Sequence, residues 1–290
     1  MSVSADPAVA TASLDDLRAE LRRLGRVVVA FSGGADSSLL ARVAHDTLGR
    51  SSVLCATALS PSLAGSEEEE CRALADEWGL RWAGVPTSEM EDAAYVANGP
   101  DRCARCKTAL MDALAPLARA EDAVVVLGVN VSDLGDHRPG QAAAAAAGAR
   151  FPLVDAGFTK DDIRSWSRAL GLRTWDKPAA ACLASRLPYG TPVTLGRLSQ
   201  VEAAEAALRA LGFGQLRVRH HGDTARLEVE PALLAVVVER RREVVDAVRG
   251  AGFTFVALDL EGFRTGSLNR VLEGSDTGSG SVSGRQEGAP

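Results

Sequence analysis

Residues 25–31, Gly-Arg-Val-Val-Val-Ala-Phe, run without a break into Ser32-Gly33-Gly34-Ala35-Asp36-Ser37-Ser38. An apolar run with no polar alternation is what a strand needs when both faces of its sheet are covered. Two glycines and then a helical pattern follow it, with Gly49 ending the helix. A buried strand, a tight glycine turn and a helix form the opening unit of a parallel α/β sheet. The same alternation recurs along the chain. Residues 14–24 read as a preceding helix, 51–59 as a second strand, 66–78 as a helix and 81–87 as a third strand. A helix is predicted over about 105–119, a fourth strand over 122–130 and an Ala-rich helix over 141–148. Phe-Pro-Leu-Val-Asp-Ala-Gly (151–157) is taken as a fifth strand and 160–170 as a short helix. In such sheets ligands bind at the carboxyl ends of the strands.

The pattern changes near residue 191. A helix (197–211) leads to two strand-like runs, Gln-Leu-Arg-Val-Arg-His-His and Ala-Arg-Leu-Glu-Val-Glu, then a helix (231–249) and Phe-Thr-Phe-Val-Ala-Leu-Asp. The expected organisation is a leader (1–13), a large sheet domain (14–190), a smaller C-terminal α/β domain with its own sheet (191–272) and a Gly/Ser-rich disordered tail (273–290). The net charge of −6 argues against a broad nucleic-acid surface. No apolar run approaches a membrane span, and the first thirteen residues lack the basic start and apolar stretch of a signal peptide. A cytoplasmic protein is expected.

The loop 32–38 carries chemistry. Gly33 and Gly34 let the backbone turn and approach a phosphate closely. The helix behind them offers N–H groups and a positive dipole end, and Ser32, Ser37 and Ser38 add hydroxyls. The Gly-Lys-Ser/Thr ending of a Walker A loop is absent. The string resembles the SGGxDS signature of the PP-loop ATP pyrophosphatases, which split ATP between its α and β phosphates. The resemblance implies a Rossmann-like PP-loop (adenine nucleotide α-hydrolase-like) sheet. It also implies that the loop cradles pyrophosphate and that Asp36 helps to place the Mg2+ accompanying ATP. This gives a reaction type and leaves the substrate open.

Five cysteines, an odd number, argue against a disulfide framework. Cys55 and Cys71 fall in strand-like and helix-like runs and are expected to be buried as small apolar residues. Cys103-Ala104-Arg105-Cys106 is a CxxC at a loop–helix junction, which by itself fits zinc, an iron–sulfur cluster, a redox pair or coincidence. The third, Cys182, lies in Ala-Cys-Leu-Ala-Ser-Arg-Leu-Pro-Tyr-Gly (181–190). There is no second CxxC for a four-cysteine zinc site. Three thiolates can hold three irons of a [4Fe–4S] cluster and leave the fourth open.

Four strings, LGVNVSDLGDHRPG (127–140), PLVDAGFTKDDIR (152–164), WDKPAAACLASRLPYG (175–190) and LRVRHHGDTARLEV (216–229), together resemble the LarE family. Its members are ATP-dependent sulfur transferases that build a nickel-pincer nucleotide cofactor. The resemblance spans about residues 14 to 265 and is most specific at 175–190. It implies adenylation of a carboxylate of pyridinium-3,5-biscarboxylic acid mononucleotide, followed by displacement of AMP by sulfur to give a thiocarboxylate. In single-cysteine members the residue matching Cys182 surrenders its own sulfur and ends as dehydroalanine. Others carry three cysteines matching Cys103, Cys106 and Cys182 and resemble [4Fe–4S] enzymes. All three stand in this chain, which favours the cluster version. Family members also imply a homo-oligomer, and the sulfur donor leaves no mark.

The remaining candidates suit an anionic substrate. Arg217 and Arg219, two apart on a predicted strand, share a face and match a phosphate; the resemblance assigns them to the nucleotide phosphate. Ser185 and Arg186 follow Cys182 closely enough to orient a carboxylate or phosphate. Asp133, Asp136 and Arg138 are candidates for holding magnesium or ribose hydroxyls, or else make a polar turn. Glu202 and Glu205 share a helix face, and a site role for Glu205 comes from family position alone. His45, His137, His220 and His221 show no ligand spacing. The competing readings are a tRNA thiolase, an amide-forming synthetase, for which the three cysteines are dispensable, and a nucleotide-binding regulator without catalysis.

Overall fold

The strand predicted at 25–31 is observed as β1 (Val27–Ala30), the next-to-edge strand of a four-stranded parallel sheet of order β3-β2-β1-β4. A computed structural model describes residues 11–135, 139–178 and 181–264. The first unit runs α1 (Leu14–Leu24), β1, α2 (Ala35–Leu48), β2 (Val53–Leu59), α3 (Gly65–Glu77), β3 (Trp82–Pro86), α4 (Ala93–Val96), α5 (Arg102–Glu121), β4 (Val124–Leu127), α6 (Pro139–Ala146), α7 (Pro152–Asp155) and α8 (Lys160–Ala169). Alternate strand residues serve different layers, as the pleat requires. Val27, Val29, Val53, Cys55 and Val126 pack with Leu17, Leu40, Leu74 and Ile163 of α1, α2, α3 and α8. Val28, Leu54, Ala56, Val125 and Leu127 pack with Met111 and Leu114 of α5 and Ala144 of α6. Both faces are covered, which explains why the strands read as unbroken apolar runs.

The predicted fifth strand is not formed. Arg150 makes a single parallel bridge to Val126, and Pro152 then opens the helical turn α7. Proline has no N–H to extend a ladder, and its fixed φ suits a first helical turn. Leu153, from that apolar pattern, and Phe158, just past it, are buried in the α1–α2–α8 layer instead.

The chain divides into two compact units after Leu198, inside α9 (Leu195–Ala210). In the second unit β5 (Leu216–His221) and β6 (Thr224–Val229) form an antiparallel hairpin, and β7 (Phe255–Leu258) lies parallel to β6. The helix predicted over 231–249 is two helices, α10 (Leu234–Glu239) and α11 (Arg241–Gly250). The break falls at Arg240, whose guanidinium donates to Leu211 O at 2.8 Å and lies over the Phe213 ring. Val218, Leu227, Val244, Val248 and Phe253 are buried in this unit. Among the described residues no helix is long and apolar enough to cross a membrane. Most of the predicted leader, all of the predicted tail, and Asp136, His137 and Arg138 lie outside the described residues.

Candidate functional site

Two chemical groups are built on the first unit. The first is the loop between β1 and α2. Phe31 is fixed across to β2, its N–H donating to Ala56 O at 2.8 Å and its carbonyl accepting from Thr57 Oγ1 at 2.7 Å. Gly33 then adopts φ +65°, and a Cβ there would meet the Cys71 sulfur at 3.0 Å and the Lys177 ammonium at 3.8 Å. Gly34 occupies the N-cap of α2 and no side chain caps the helix. The first-turn N–H groups therefore have no capping acceptor from the side chain that usually supplies one.

The predicted hydroxyls divide by role. Ser37 Oγ donates to Gly34 O at 3.2 Å, accepts from Ser32 N and lies 3.1 Å from Ser32 Oγ, so these two serines shape the loop. Ser38 is fully buried and its hydroxyl has no hydrogen-bond partner among the described residues. Asp36 faces a cation that the sequence analysis did not single out. Lys160 Nζ, at the start of α8, donates to both carboxylate oxygens at 2.6 and 2.8 Å. Gly128, just past β4, passes so close that a Cβ would lie 2.8 Å from Ser37 N. Asp133 is used inside its own loop, accepting from Asn130 N at 3.2 Å, while Asn130 is buried and holds Ser132 N at 2.9 Å.

The second group surrounds the cysteines. Cys103 sits in the first turn of α5 and Cys106 at the start of the second; Cys103 and Cys182 are exposed and Cys106 is half-buried. Burial pushes the Cys106 thiol up to about 12, and Cys182, Glu89 and Cys103 add to the rise while Lys107 opposes it. Lys107 is held below the usual lysine range by burial, against the pull of Cys106 and Cys103. Arg102 is buried; it donates to Asn98 Oδ1 at 2.7 Å and Ala184 O at 2.9 Å, with its other nitrogen 3.9 Å from Cys103 Sγ. Asn98, itself at φ +58°, also holds Pro188 O and Thr191 O, both at 2.8 Å. Arg102 and Asn98 thus fasten the 184–191 segment to the helix that carries the CxxC.

Ser185 and Arg186 are turned towards the backbone around Cys182. Ser185 Oγ donates to Cys182 O at 2.7 Å, and Arg186 Nη1 donates to Ala181 O at 2.5 Å and Cys182 O at 3.1 Å. Leu183 N reaches Ser62 O at 2.8 Å, and Ser62 Oγ lies 2.6 Å from the Tyr95 hydroxyl. Nearby, Glu89 is buried and accepts from Ser60 Oγ. The other two cysteines are inert core residues: burial pushes Cys55 up to about 12 and Cys71 up to about 11.

Among the described residues no three His, Cys, Asp or Glu side chains gather closely enough for a single metal ion. The cysteine group still suits a metal–sulfur cluster in its chemistry. It has three soft thiols within electrostatic reach of one another, flanked by two cations that offset thiolate charge.

The second unit holds the remaining candidates. Arg217 and Arg219 are both buried. Arg217 lies over the Phe263 ring at 4.8 Å, and Arg219 Nη2 donates to Glu228 Oε2 at 2.7 Å. Glu205 is buried, accepting from Val218 N at 3.1 Å and Arg209 Nη2 at 2.8 Å, whereas Glu202 is half-buried.

No family model matches the chain. It is 39% identical over 257 residues to the pyridinium-3,5-bisthiocarboxylic acid mononucleotide synthase of Lactiplantibacillus plantarum, covering 88% of this chain and 93% of that protein. The chain belongs to the LarE family. Uncharacterised proteins are similar as well: one of Synechocystis is 44% identical over 89% of this chain and 97% of its own length. One of Methanocaldococcus jannaschii is 26% identical over 83% and 91%. Against this LarE background, the residues missed by sequence reasoning are Lys160, Lys177, Gly128, Arg102, Lys107 and Glu89. Lys160 and Lys177 stand inside two of the four strings quoted for the resemblance, yet nothing local marks them, because each meets its carboxylate more than a hundred positions away.

Proposed function

We propose that this LarE chain is an ATP-dependent sulfur transferase that converts a carboxylate of pyridinium-3,5-biscarboxylic acid mononucleotide to a thiocarboxylate. The observation that carries the reading is the pairing, in one unit, of an uncapped glycine loop and helix N-terminus with a cationic three-thiol group. ATP phosphates would lie on the N–H groups of Gly33 to Ser37, where the dipole favours negative charge. Asp36 would hold Mg2+, freeing Lys160 to meet phosphate charge. A substrate carboxylate oxygen attacks the α phosphorus, the bond to the β-phosphate oxygen breaks, and pyrophosphate leaves. A carboxylate is a poor electrophile, and the acyl adenylate supplies the leaving group it lacks. A sulfur nucleophile then attacks the acyl carbon, and the C–O bond to AMP breaks with the electron pair leaving on AMP.

Cys103, Cys106 and Cys182 would hold a [4Fe–4S] cluster, whose open iron supplies a site for exchangeable sulfide. Arg102 and Lys107 offset the negative charge there. Arg186 and Ser185 fix the backbone at Cys182, so that the thiol is held in place during transfer. The second reading is sacrificial: Cys182, exposed, attacks the acyl carbon and displaces AMP to give a thioester; a base then takes its Cα proton, the Cβ–Sγ bond breaks with the electron pair leaving on the thiocarboxylate sulfur, and dehydroalanine remains. Arg217 and Arg219, with Glu205, are assigned to the phosphate end of the substrate by family position. A tRNA thiolase is disfavoured by the net charge of −6.

The deciding experiment is anaerobic purification with iron and sulfide assay, then turnover with ATP and the biscarboxylate nucleotide. Iron at cluster stoichiometry and repeated turnover support the cluster route. One turnover per chain with dehydroalanine at position 182 supports the sacrificial route. Pyrophosphate release that is indifferent to the nucleotide would sink both. Cys182→Ser is expected to retain substrate-dependent pyrophosphate release while losing thiocarboxylate.

A further inference from the structure

Lys177 stands beside the nucleotide loop without belonging to it. Its ammonium lies 3.8 Å from the place where a Gly33 Cβ would be. It is only 19% exposed and, among the described residues, pairs with a single carboxylate, Glu67 Oε2, at 2.7 Å. The backbone that delivers it is anchored. Lys177 N donates to Thr174 O, and Arg173 grips Glu70 and Glu77, two turns apart on α3. The aliphatic stem therefore starts from a fixed point, and only the end of the side chain needs to move.

Glu67 is an unusual partner, because it needs Lys177 less than Lys177 needs an anion. It lies in the first turn of α3, where the helix dipole favours a carboxylate whatever else is near. The pair is also partly open to water, where such bridges are weak. A polyphosphate on the Gly33 N–H side brings more charge and several acceptor oxygens to the same ammonium. Asp36 and Lys160 repeat the arrangement within the loop's own helix start, one carboxylate occupying one lysine.

We propose that Lys177 is a phosphate-binding residue of the nucleotide loop, kept in place by Glu67 and transferred to the ATP phosphates when they bind. This rests on the reading of the loop as an ATP site. The exchange gives the two partners opposite signatures. Removing Lys177 takes away a phosphate contact, whereas neutralising Glu67 removes a competitor for the ammonium. A purely structural salt bridge gives both variants the same sign.

The test is calorimetric titration of the full chain with magnesium and an ATP analogue blocked at the α–β bridge. Lys177→Gln is expected to weaken binding about tenfold, Lys177→Arg to restore most of it, and Glu67→Gln to tighten it about two- to fivefold. A misfolded variant does not bind more tightly, so the Glu67→Gln arm stands whatever happens to Lys177→Gln. If the wild-type chain binds the analogue and both variants are weakened, or neither changes, the role of Lys177 is overturned and the ATP reading stands. If the wild-type chain does not bind the analogue, both fall.

Discussion

Both oxygens of the Asp36 carboxylate are taken by one ammonium, Lys160 Nζ, at 2.6 and 2.8 Å. The pair is partly exposed, 30% and 25% for the two side chains, so it contributes about 1 kcal/mol or less to stability. Its chemical weight is larger. Asp36→Asn removes the charge that would hold Mg2+ and one of the two acceptor oxygens that place Lys160. ATP-dependent pyrophosphate release is expected to fall about a hundredfold or more, with the urea midpoint little changed. Lys160→Met is expected to lower the rate too, through the lost phosphate contact. A variant of either kind with wild-type pyrophosphate release would remove Asp36 and Lys160 from the mechanism.

At the scale of elements, α8 is the helix that brings Lys160 to the loop, and Asp162 sets where it starts. Asp162 is 1% exposed and closes a capping box with Thr159. It accepts from Thr159 N at 2.9 Å, Thr159 Oγ1 at 2.6 Å and, across the fold, Thr11 N at 2.6 Å. Burial alone pushes its carboxyl up; the bonds from Thr159, Thr11 and Ala12 outweigh burial and hold it below the usual range. A lowered folded pKa means a contribution fully present above the unfolded value of about 3.9 and lost as pH falls through the folded one. Asp162→Ala is expected to cost about 2–3 kcal/mol in urea unfolding at neutral pH, with the gap to wild type narrowing only below about pH 4. A gap that widens on acidification would refute this. The end of β4 makes a different demand. At Gly128→Ala a methyl group would meet Ser37 N at 2.8 Å, a backbone atom that cannot swing aside. The expected cost is about 1–3 kcal/mol, together with a loss of nucleotide affinity as the start of α2 shifts. Unchanged affinity by titration would show that α2 absorbs the methyl group.

Over the whole molecule, the two units rest on different physics. The first is stabilised by two apolar layers on one parallel sheet, with buried charges such as Asp162 set at their margins, the second by a smaller core built around an ion-pair network. Arg219 and Glu228 are 2% and 0% exposed, and Glu228 takes a second bond from Arg226, which reaches Asp259. Arg219→Met keeps the side-chain length and strands part of this network, so a loss of about 3 kcal/mol is expected by chemical denaturation. A neutral result would mean that the Arg226 bridge suffices for Glu228. The shared face of Arg217 and Arg219 follows from the two-residue strand period, but period says nothing about burial or partners.

Some of this architecture is local and therefore legible in the chain. The glycine turn, the unbroken Val-Val-Val run and the Gly49 stop each act on their neighbours, so the loop between β1 and α2 lies where residues 25–49 place it. Family membership was legible for the same reason, since it resides in contiguous strings such as 175–190. The segment 151–157 shows the limit: its apolar pattern fitted a strand, but Pro152 suits a first helical turn and the burial of Leu153 in the α1–α2–α8 layer settled it as one. The cations beside the loop lay beyond any local pattern. Asp36 meets Lys160 across 124 positions, and Glu67 meets Lys177 across 110. A charge pair of that span depends on where the whole sheet places its helices, so the sequence determined the loop and its chemistry, and the tertiary structure decided which side chains stand guard over it.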